Sequence, residues 1–195
     1  MKKFIVLLVV LSAFGFSNVN AQTMSTNTTT MTTNTVDVGG SAMYPAKDIV
    51  TNALNSKDHT TLVAAVKAAG LVETLQGKGP FTVFAPTNDA FENLPAGTVD
   101  NLLKAENKAT LTKVLTYHVV SGTYDFAALS KLITAGNGTA TLKTVSGGTL
   151  SFKMNGSHNI TVWDETGASA NISTYDVYQS NGVIQVVDKV LMPKM

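Results

Sequence analysis

The sequence predicts an α+β fold, and three observations carry that prediction. Apolar residues recur at helical spacing through most of the first half, from Ile49 to Ile133. Short runs of β-branched residues separated by Gly-containing turns fill the second half. Two early strands, Phe81–Ala85 and Tyr117–Val120, are set among the helices. Helices gathered in one part of a chain and strands in another argue for segregated layers rather than alternating βαβ units. No long internal period recurs, so one copy of one domain is expected.

Along the chain, Lys2 and Lys3 form a short basic region before the apolar run Phe4–Phe16, which is too short to span a bilayer comfortably. Small residues at Val19 and Ala21 suit a signal-peptidase cleft, so residues 1–21 read as a signal peptide cut between Ala21 and Gln22. These flanks favour a leader over a short membrane anchor or a buried core helix. The chain has no cysteine, which excludes a lipid anchor at the cut and leaves a soluble exported product, periplasmic or extracellular. Residues 22–43 are rich in Thr, with Asn, Ser and Met, and cannot bury enough apolar area to offset their ordering entropy. They read as a disordered linker, with a Thr-rich stalk bearing O-linked sugar as the alternative.

Residues 44–195 then form the folded domain. Small exported domains often need disulfides, but a domain of this size buries about two thirds of its unfolded surface, so its core can hold it without cross-links. A formal net charge of +1 with 14% charged residues argues against nucleic acid and against an anionic membrane surface as partners.

Within the domain, Ile49, Val50, Ala53 and Leu54 begin the first helical pattern. Asp58 or Thr60 can cap a helix whose Leu62, Val63, Val66 and Ala69 share one face, and Gly70 supplies a left-handed stop. A third helical region runs through Thr98, Leu102 and Leu103, then Leu111, Val114 and Leu115, with polar Glu106, Asn107 and Lys108 at the joint. A fourth starts at Asp125 and carries Phe126, Leu129, Leu132 and Ile133 up to Gly136. Strands are expected at Thr139–Val145, Leu150–Met154, Ile160–Trp163 and Ala168–Ile172, joined by Gly-containing turns as a meander. The last, Val183–Leu191, is apolar on both faces and belongs inside a sheet.

Catalytic patterns are missing. His59, His118 and His158 lie far apart, with no His-Glu-x-x-His pair and no Gly-x-Ser-x-Gly elbow. Gly77-Lys78-Gly79 and Gly136-Asn137-Gly138 complete no phosphate-binding pattern and read as turns. Glu73, Asp89, Glu92, Asp100, Glu106, Asp164 and Glu165 sit beside turns or on polar helix faces. Two of them can still meet in space as a glycosidase pair, which keeps a hydrolase as the third reading. No catalytic residue, cofactor or metal ligand is assigned.

The most specific stretch is Gly79-Pro80-Phe81-Thr82-Val83-Phe84-Ala85-Pro86-Thr87-Asn88-Asp89-Ala90-Phe91. Thr82–Ala85 is a buried strand that Pro86 ends, because proline gives the ladder no donor. Thr87 or Asn88 then caps a short helix that turns Ala90, Phe91 and Leu94 onto the core. This corner resembles the first signature motif of fasciclin domains. Tyr117-His118-Val119-Val120 resembles that family's Tyr-His strand, and the stretch from Asn181-Gly182 through Asp188 to Pro193 resembles its closing motif. The three motifs agree in order and spacing, with one departure at Gln185, where the family often has histidine.

The resemblance implies a fasciclin-type fold, a helical layer packed on a β-wedge or sandwich. It also implies a secreted bacterial single-domain protein, a non-enzymatic binding module for cell adhesion or extracellular-matrix contact. Its partner would be a cell-surface or matrix protein or glycan. An extracellular small-ligand carrier, with a pocket lined by Phe126, Phe152, Met154 and Trp163, is the alternative. The candidate site residues are those of the motifs: Phe84, Pro86, Thr87, Asn88 and Phe91; Tyr117 and His118; and Asn181, Gly182, Asp188 and Pro193. Alternation along an apolar strand puts at least one of Tyr117 and His118 inside. A buried imidazole needs a partner, so His118 is expected to hydrogen-bond the Pro86-Thr87-Asn88 corner.

Overall fold

A computed structural model of the chain describes residues 35–194. The leader, its cleavage point at Ala21 and Gln22, and residues 22–34 of the expected linker lie outside the described residues. The fold is α+β. In chain order the elements are β1 (Val36–Asp37), β2 (Ala42–Met43), α1 (Ile49–Ala53), α2 (Thr60–Ala69), α3 (Val72–Gln76), β3 (Phe81–Pro86), α4 (Asn88–Glu92), α5 (Thr98–Leu102), α6 (Lys108–Tyr117), β4 (Val119–Ser121), α7 (Phe126–Ala135), β5 (Ala140–Lys143), β6 (Thr149–Asn155), β7 (Asn159–Trp163), β8 (Ser169–Gln179) and β9 (Gly182–Val187). Short 3-10 turns at Lys57–His59 and Ala105–Asn107 lead into α2 and α6.

The helices follow the expected logic. In α2, Leu62, Ala65, Val66 and Ala69 face the core, and Gly70 ends the helix at φ +73°, a conformation that costs an L side chain strain. Asp125 caps α7 through its side chain, which accepts a hydrogen bond from Ala128 N at 2.8 Å. Neither Asp58 nor Thr60 caps α2, however; that role passes to a residue from a different element, described below.

One seven-stranded sheet runs β4-β3-β9-β8-β7-β6-β5. β3 and β9 pair in parallel, Phe81 opposite Gly182 and Pro86 opposite Val187, and the other neighbours are antiparallel. β9 is covered on both faces, as its apolar residues on each side of the strand predict. β8 is longer than the sequence suggests because it serves two partners. It pairs with β7 up to Asn171 and with β9 from Ile172, and register shifts between Ile172 and Val177 turn the sheet there.

The turn divides the interior in two. One core lies between the helices α1–α6 and the sheet, around Met43, Val66, Val83, Leu115 and Ile184. The other lies under α7 within the curled meander, where Phe84 meets Phe152 with ring centroids 5.2 Å apart.

Three expectations need correction. Residues 36–43 are not linker: β1 and β2 form a hairpin, and Val38 and Met43 are buried in the helical core. The two-residue strands are too short to show a period, and Thr-rich composition beside them masked the two apolar anchors. Tyr117 and His118 are not strand but the end of α6 and its C-cap, and only Val119–Ser121 is extended. The signal was present, since Leu111, Leu115 and His118 continue one helical stripe. Finally, β9 stops at Val187, and the chain to Lys194 runs on as a strap without strand pairing.

Candidate functional site

The three motifs, distant in sequence, become neighbours: they supply β3, the α6–β4 junction and β9, three adjacent strands of the sheet. Most of their side chains then point into the protein. Phe84 and Tyr117 are fully buried, Phe91 nearly so, and Pro86 and Pro193 are inside as well.

At the first corner, Thr87 caps α4, its hydroxyl accepting from Ala90 N at 3.3 Å, and Thr87 N donates to the Val187 carbonyl of β9. Asn88 does something the sequence did not show. Its Oδ1 accepts from Thr61 N at 3.0 Å and from the Thr60 hydroxyl at 3.1 Å, while its Nδ2 donates to the Lys57 carbonyl at 2.8 Å. It therefore caps the N-terminus of α2 from α4, satisfying a donor that the helix leaves free. Asn88→Ala should lower stability by about 1 kcal/mol. Asn88→Asp should fall between, since it keeps the acceptor and loses the donor. Urea denaturation of the three proteins measures this, and unchanged midpoints would remove the role.

Tyr117 and His118 are both buried, and each uses its polar atoms internally. The Tyr117 hydroxyl donates to the Thr149 carbonyl at 2.6 Å and accepts from Glu165 N at 3.0 Å, joining α6 to the meander. Burial pushes its pKa up to about 12, against the Glu165 N–H, which lowers it. His118 does not bond the Pro86-Thr87-Asn88 corner with its ring. Nε2 accepts from Leu191 N at 3.0 Å, so the proton sits on Nδ1, which donates to the Val114 carbonyl at 2.8 Å. Only its backbone reaches the first motif, the His118 carbonyl accepting from Phe84 N at 2.9 Å. Strand geometry suggested the wrong partner, because the ring leaves from a helix end and faces the C-terminal strap.

That strap explains why the closing motif extends past β9. Leu191 N is held by His118, Met192 N by Asp164 Oδ2 at 2.9 Å, and Lys194 N by Glu165 Oε2 at 3.3 Å. Side chains here replace a strand partner. Asp188 at the end of β9 accepts from Asn171 N at 2.7 Å and Asn171 Nδ2 at 3.0 Å. Asn181 makes three hydrogen bonds to two segments, with Ile49 N donating to its Oδ1 and its Nδ2 donating to the Leu75 and Gly77 carbonyls. Gly182 is required by close approach, because a Cβ there would lie 2.0 Å from the Phe81 carbonyl oxygen across the β3–β9 pair. Gln185, the departure from the family pattern, is buried: its Nε2 donates to Tyr124 O at 3.1 Å and Asp176 Oδ1 at 2.9 Å, and its Oε1 accepts from Asp176 N at 3.1 Å.

The proposed carrier residues do not line one pocket. Phe152 is fully buried, Phe126 begins α7, Met154 lies on β6 against Ser130 of that helix, and Trp163 is 37% exposed on the outer face of the sheet. A cavity of about 50 Å³ lies instead in the other core, among Met43, Val66, Val83 and Leu115, with His59 and His118 on its wall. Small-molecule pockets run to about 300–1,000 Å³, so this apolar space is too small for a carried ligand.

His59 is buried, with Nδ1 2.9 Å from the Ser56 hydroxyl and no hydrogen-bond partner at Nε2. Burial holds its pKa below the ordinary value, while the nearby Ala85 carbonyl and Asp58 pull the other way. Among the described residues no group of three His, Cys, Asp or Glu is placed to hold a metal, and no helix is long and apolar enough to cross a membrane.

This architecture has known counterparts. A FAS1 domain pair from the insect cell adhesion molecule Fasciclin I matches it with a TM-score of 0.66 at 19% identity, over 76% of this chain and 52% of that one. Protein sll1483 of Synechocystis sp. is 45% identical over 159 residues, 81% of this chain and 80% of that protein. The cell surface glycolipoprotein MPB83 of Mycobacterium bovis is 35% identical over 161 residues, 80% of this chain and 64% of its own length. The fasciclin domain model matches residues 57–193, spanning all three motifs, and with them the helical layer and sheet they join; the chain belongs to the fasciclin domain family.

Proposed function

We propose that this chain is an exported, non-enzymatic binding module that works in adhesion at a cell surface or in an extracellular matrix. The observation that carries this reading is the commitment of the motif side chains. Tyr117, His118, Asn181 and Asp188 each spend their polar atoms on backbone or side chains of the same domain. Such residues hold a scaffold together, and binding is left to its outer surfaces. Export follows from the leader-like first residues and accords with a relative named as a cell surface glycolipoprotein. Adhesion accords with a structural counterpart described as a cell adhesion molecule.

Attachment of the fluorescently labelled chain, beginning at Gln22, to the producing cells and their matrix tests the reading. Saturable attachment of the folded chain, competed by unlabelled chain and absent after heat denaturation, is the expected result. Attachment no greater than that of an unrelated protein of similar charge would overturn it.

A further inference from the structure

The outer face of the meander carries an exposed aromatic ring among polar side chains. Alternation along β5–β8 sends Ala140, Phe152, Val162 and Ala170, which lie opposite one another, into the core. The adjacent row, Thr141, Ser151, Trp163 and Ser169, points the other way. Trp163 is the only tryptophan of the chain, and it stands 37% exposed in the middle of a row of hydroxyls. In the next row Lys153, Thr161 and Asn171 continue the same face, with the Thr161 hydroxyl donating to Asn171 Oδ1 at 3.1 Å. Lys153 Nζ lies over the Trp163 ring, 5.4 Å from its centroid, in a cation–π contact.

We infer that this face is a binding platform for an acidic polysaccharide, with Trp163 stacking on a sugar ring and Lys153 and Lys143 pairing with the sugar's carboxylates. The inference rests on the binding-module reading above and gives it a site and a ligand class. Sugar rings present C–H faces that stack on an indole and hydroxyl edges that hydrogen-bond Ser, Thr and Asn side chains, and this face offers both in register. A stacking sugar displaces the cation–π contact of Lys153 with Trp163 by drawing the ammonium to its own carboxylate.

Charge selects the class of glycan. The outward side chains of β5, β6, β7 and the Ser169–Asn171 part of β8 include Lys143 and Lys153 and no carboxylate. The nearest carboxylates lie at the border, where Asp188 accepts from Asn171 N and Glu165 from Thr149 N and Lys194 N. Four strands side by side span roughly 14 Å, room for a short run of sugar rings. A protein partner fits less well, since interface hot spots need a packed apolar cluster and this face has one aromatic ring among polar groups. Nucleic acid fits less well too, because two lysines in a chain without arginine neutralise few phosphates.

The single tryptophan makes the test direct, because its fluorescence reports from the proposed site alone. The chain beginning at Gln22 is titrated with alginate oligomers, heparin oligomers, neutral dextran and single-stranded DNA at low salt. A saturable change with alginate that weakens as salt is added, and none with dextran, is expected. An equal response to heparin would support an anionic-glycan site and widen it from carboxylate to sulfate. A response to dextran as strong as to alginate, or to DNA as strong as to either glycan, would overturn the assignment.

In affinity gels cast with alginate, Trp163→Ala should weaken retention at least about tenfold, the size of one hot-spot truncation. The double variant Lys143→Gln/Lys153→Gln, at two exposed positions that cannot unfold the domain, should lose most of the salt dependence. Retention unchanged in both variants would overturn the site. Full attachment of Trp163→Ala to native cells and matrix would also overturn it, while leaving the binding-module reading intact.

Discussion

A chain beginning at Tyr44 should be far less stable than one beginning at Gln22, although the two differ by a segment whose composition reads as linker. The deletion removes the β1–β2 hairpin. Met43 is 2% exposed and Val38 5% exposed, and both pack into the helical core. Each buried side chain of this kind is worth about 1.5–3 kcal/mol, so the loss should reach about 3–6 kcal/mol. Polar losses add to it. The Ser56 hydroxyl donates to the Val38 carbonyl at 3.1 Å, and without the hairpin that buried serine loses a partner.

A whole domain is stable by about 5–15 kcal/mol, so the shortened chain should sit near the edge of folding. Urea denaturation of the two chains measures the difference. Met43→Ala in the longer chain should reproduce about 2–5 kcal/mol of it by opening a core cavity. Equal midpoints for the two chains would show that the hairpin merely rests on the domain.

His118→Ala should be the most damaging substitution among the family-motif residues. It orphans two buried backbone groups, Leu191 N–H and the Val114 carbonyl, and frees the start of the C-terminal strap. Each unsatisfied group costs about 1–3 kcal/mol, and a total of about 3 kcal/mol lowers Tm by about 6–12 °C in a domain of this size. Surface binding by the folded fraction should persist, because the ring touches nothing outside the domain. A His118→Ala protein with unchanged Tm and lost attachment would reverse that assignment.

The same residue makes stability depend on pH. Burial pushes the His118 pKa from 6.5 down to about 4, opposed by the Val114 carbonyl and the Asp164 carboxylate. A histidine depressed in the folded state is protonated more readily when unfolded, so acid favours unfolding. Its contribution is present in full above about pH 6.5 and is lost as pH falls toward about 4, a span worth about 3 kcal/mol. His59 is depressed in the same direction, and both rings line the cavity of the helical core. The native protein should therefore lose Tm steeply between those pH values. His118→Ala should show a shallower slope there, with the remainder shared by His59 and by carboxylates such as Glu165, held low by the Thr149 N–H. Equal slopes would mean that His118 is already open to protons in the folded state.

Much of the fold was legible because its signals are local. Asp125 before Phe126, Gly70 after Ala69 and the Gly-containing turns of the meander act within a few residues, so α7, α2 and β5–β7 lie close to where their patterns place them. β8 was underestimated for a reason no local pattern carries, namely that it changes partners at a bulge. The motif residues were legible as a set but not as contacts. Of the two caps offered for α4, Thr87 serves and Asn88 caps α2 instead, while Trp163 was grouped with Phe126, Phe152 and Met154 as a pocket lining though its alternation places it outside.

By itself the sequence determined the layer class, the order of nearly all the elements and the family, since periodicity, capping and turn chemistry depend on neighbours along the chain. Only the tertiary structure decided which polar groups meet. Ile49 N and Asn181 Oδ1 are 132 positions apart, and Leu191 N and His118 Nε2 are 73 apart. A hydrogen bond needs its atoms within about 3 Å and in line, and the choice among the many donors and acceptors of a chain is made when packing brings two elements together.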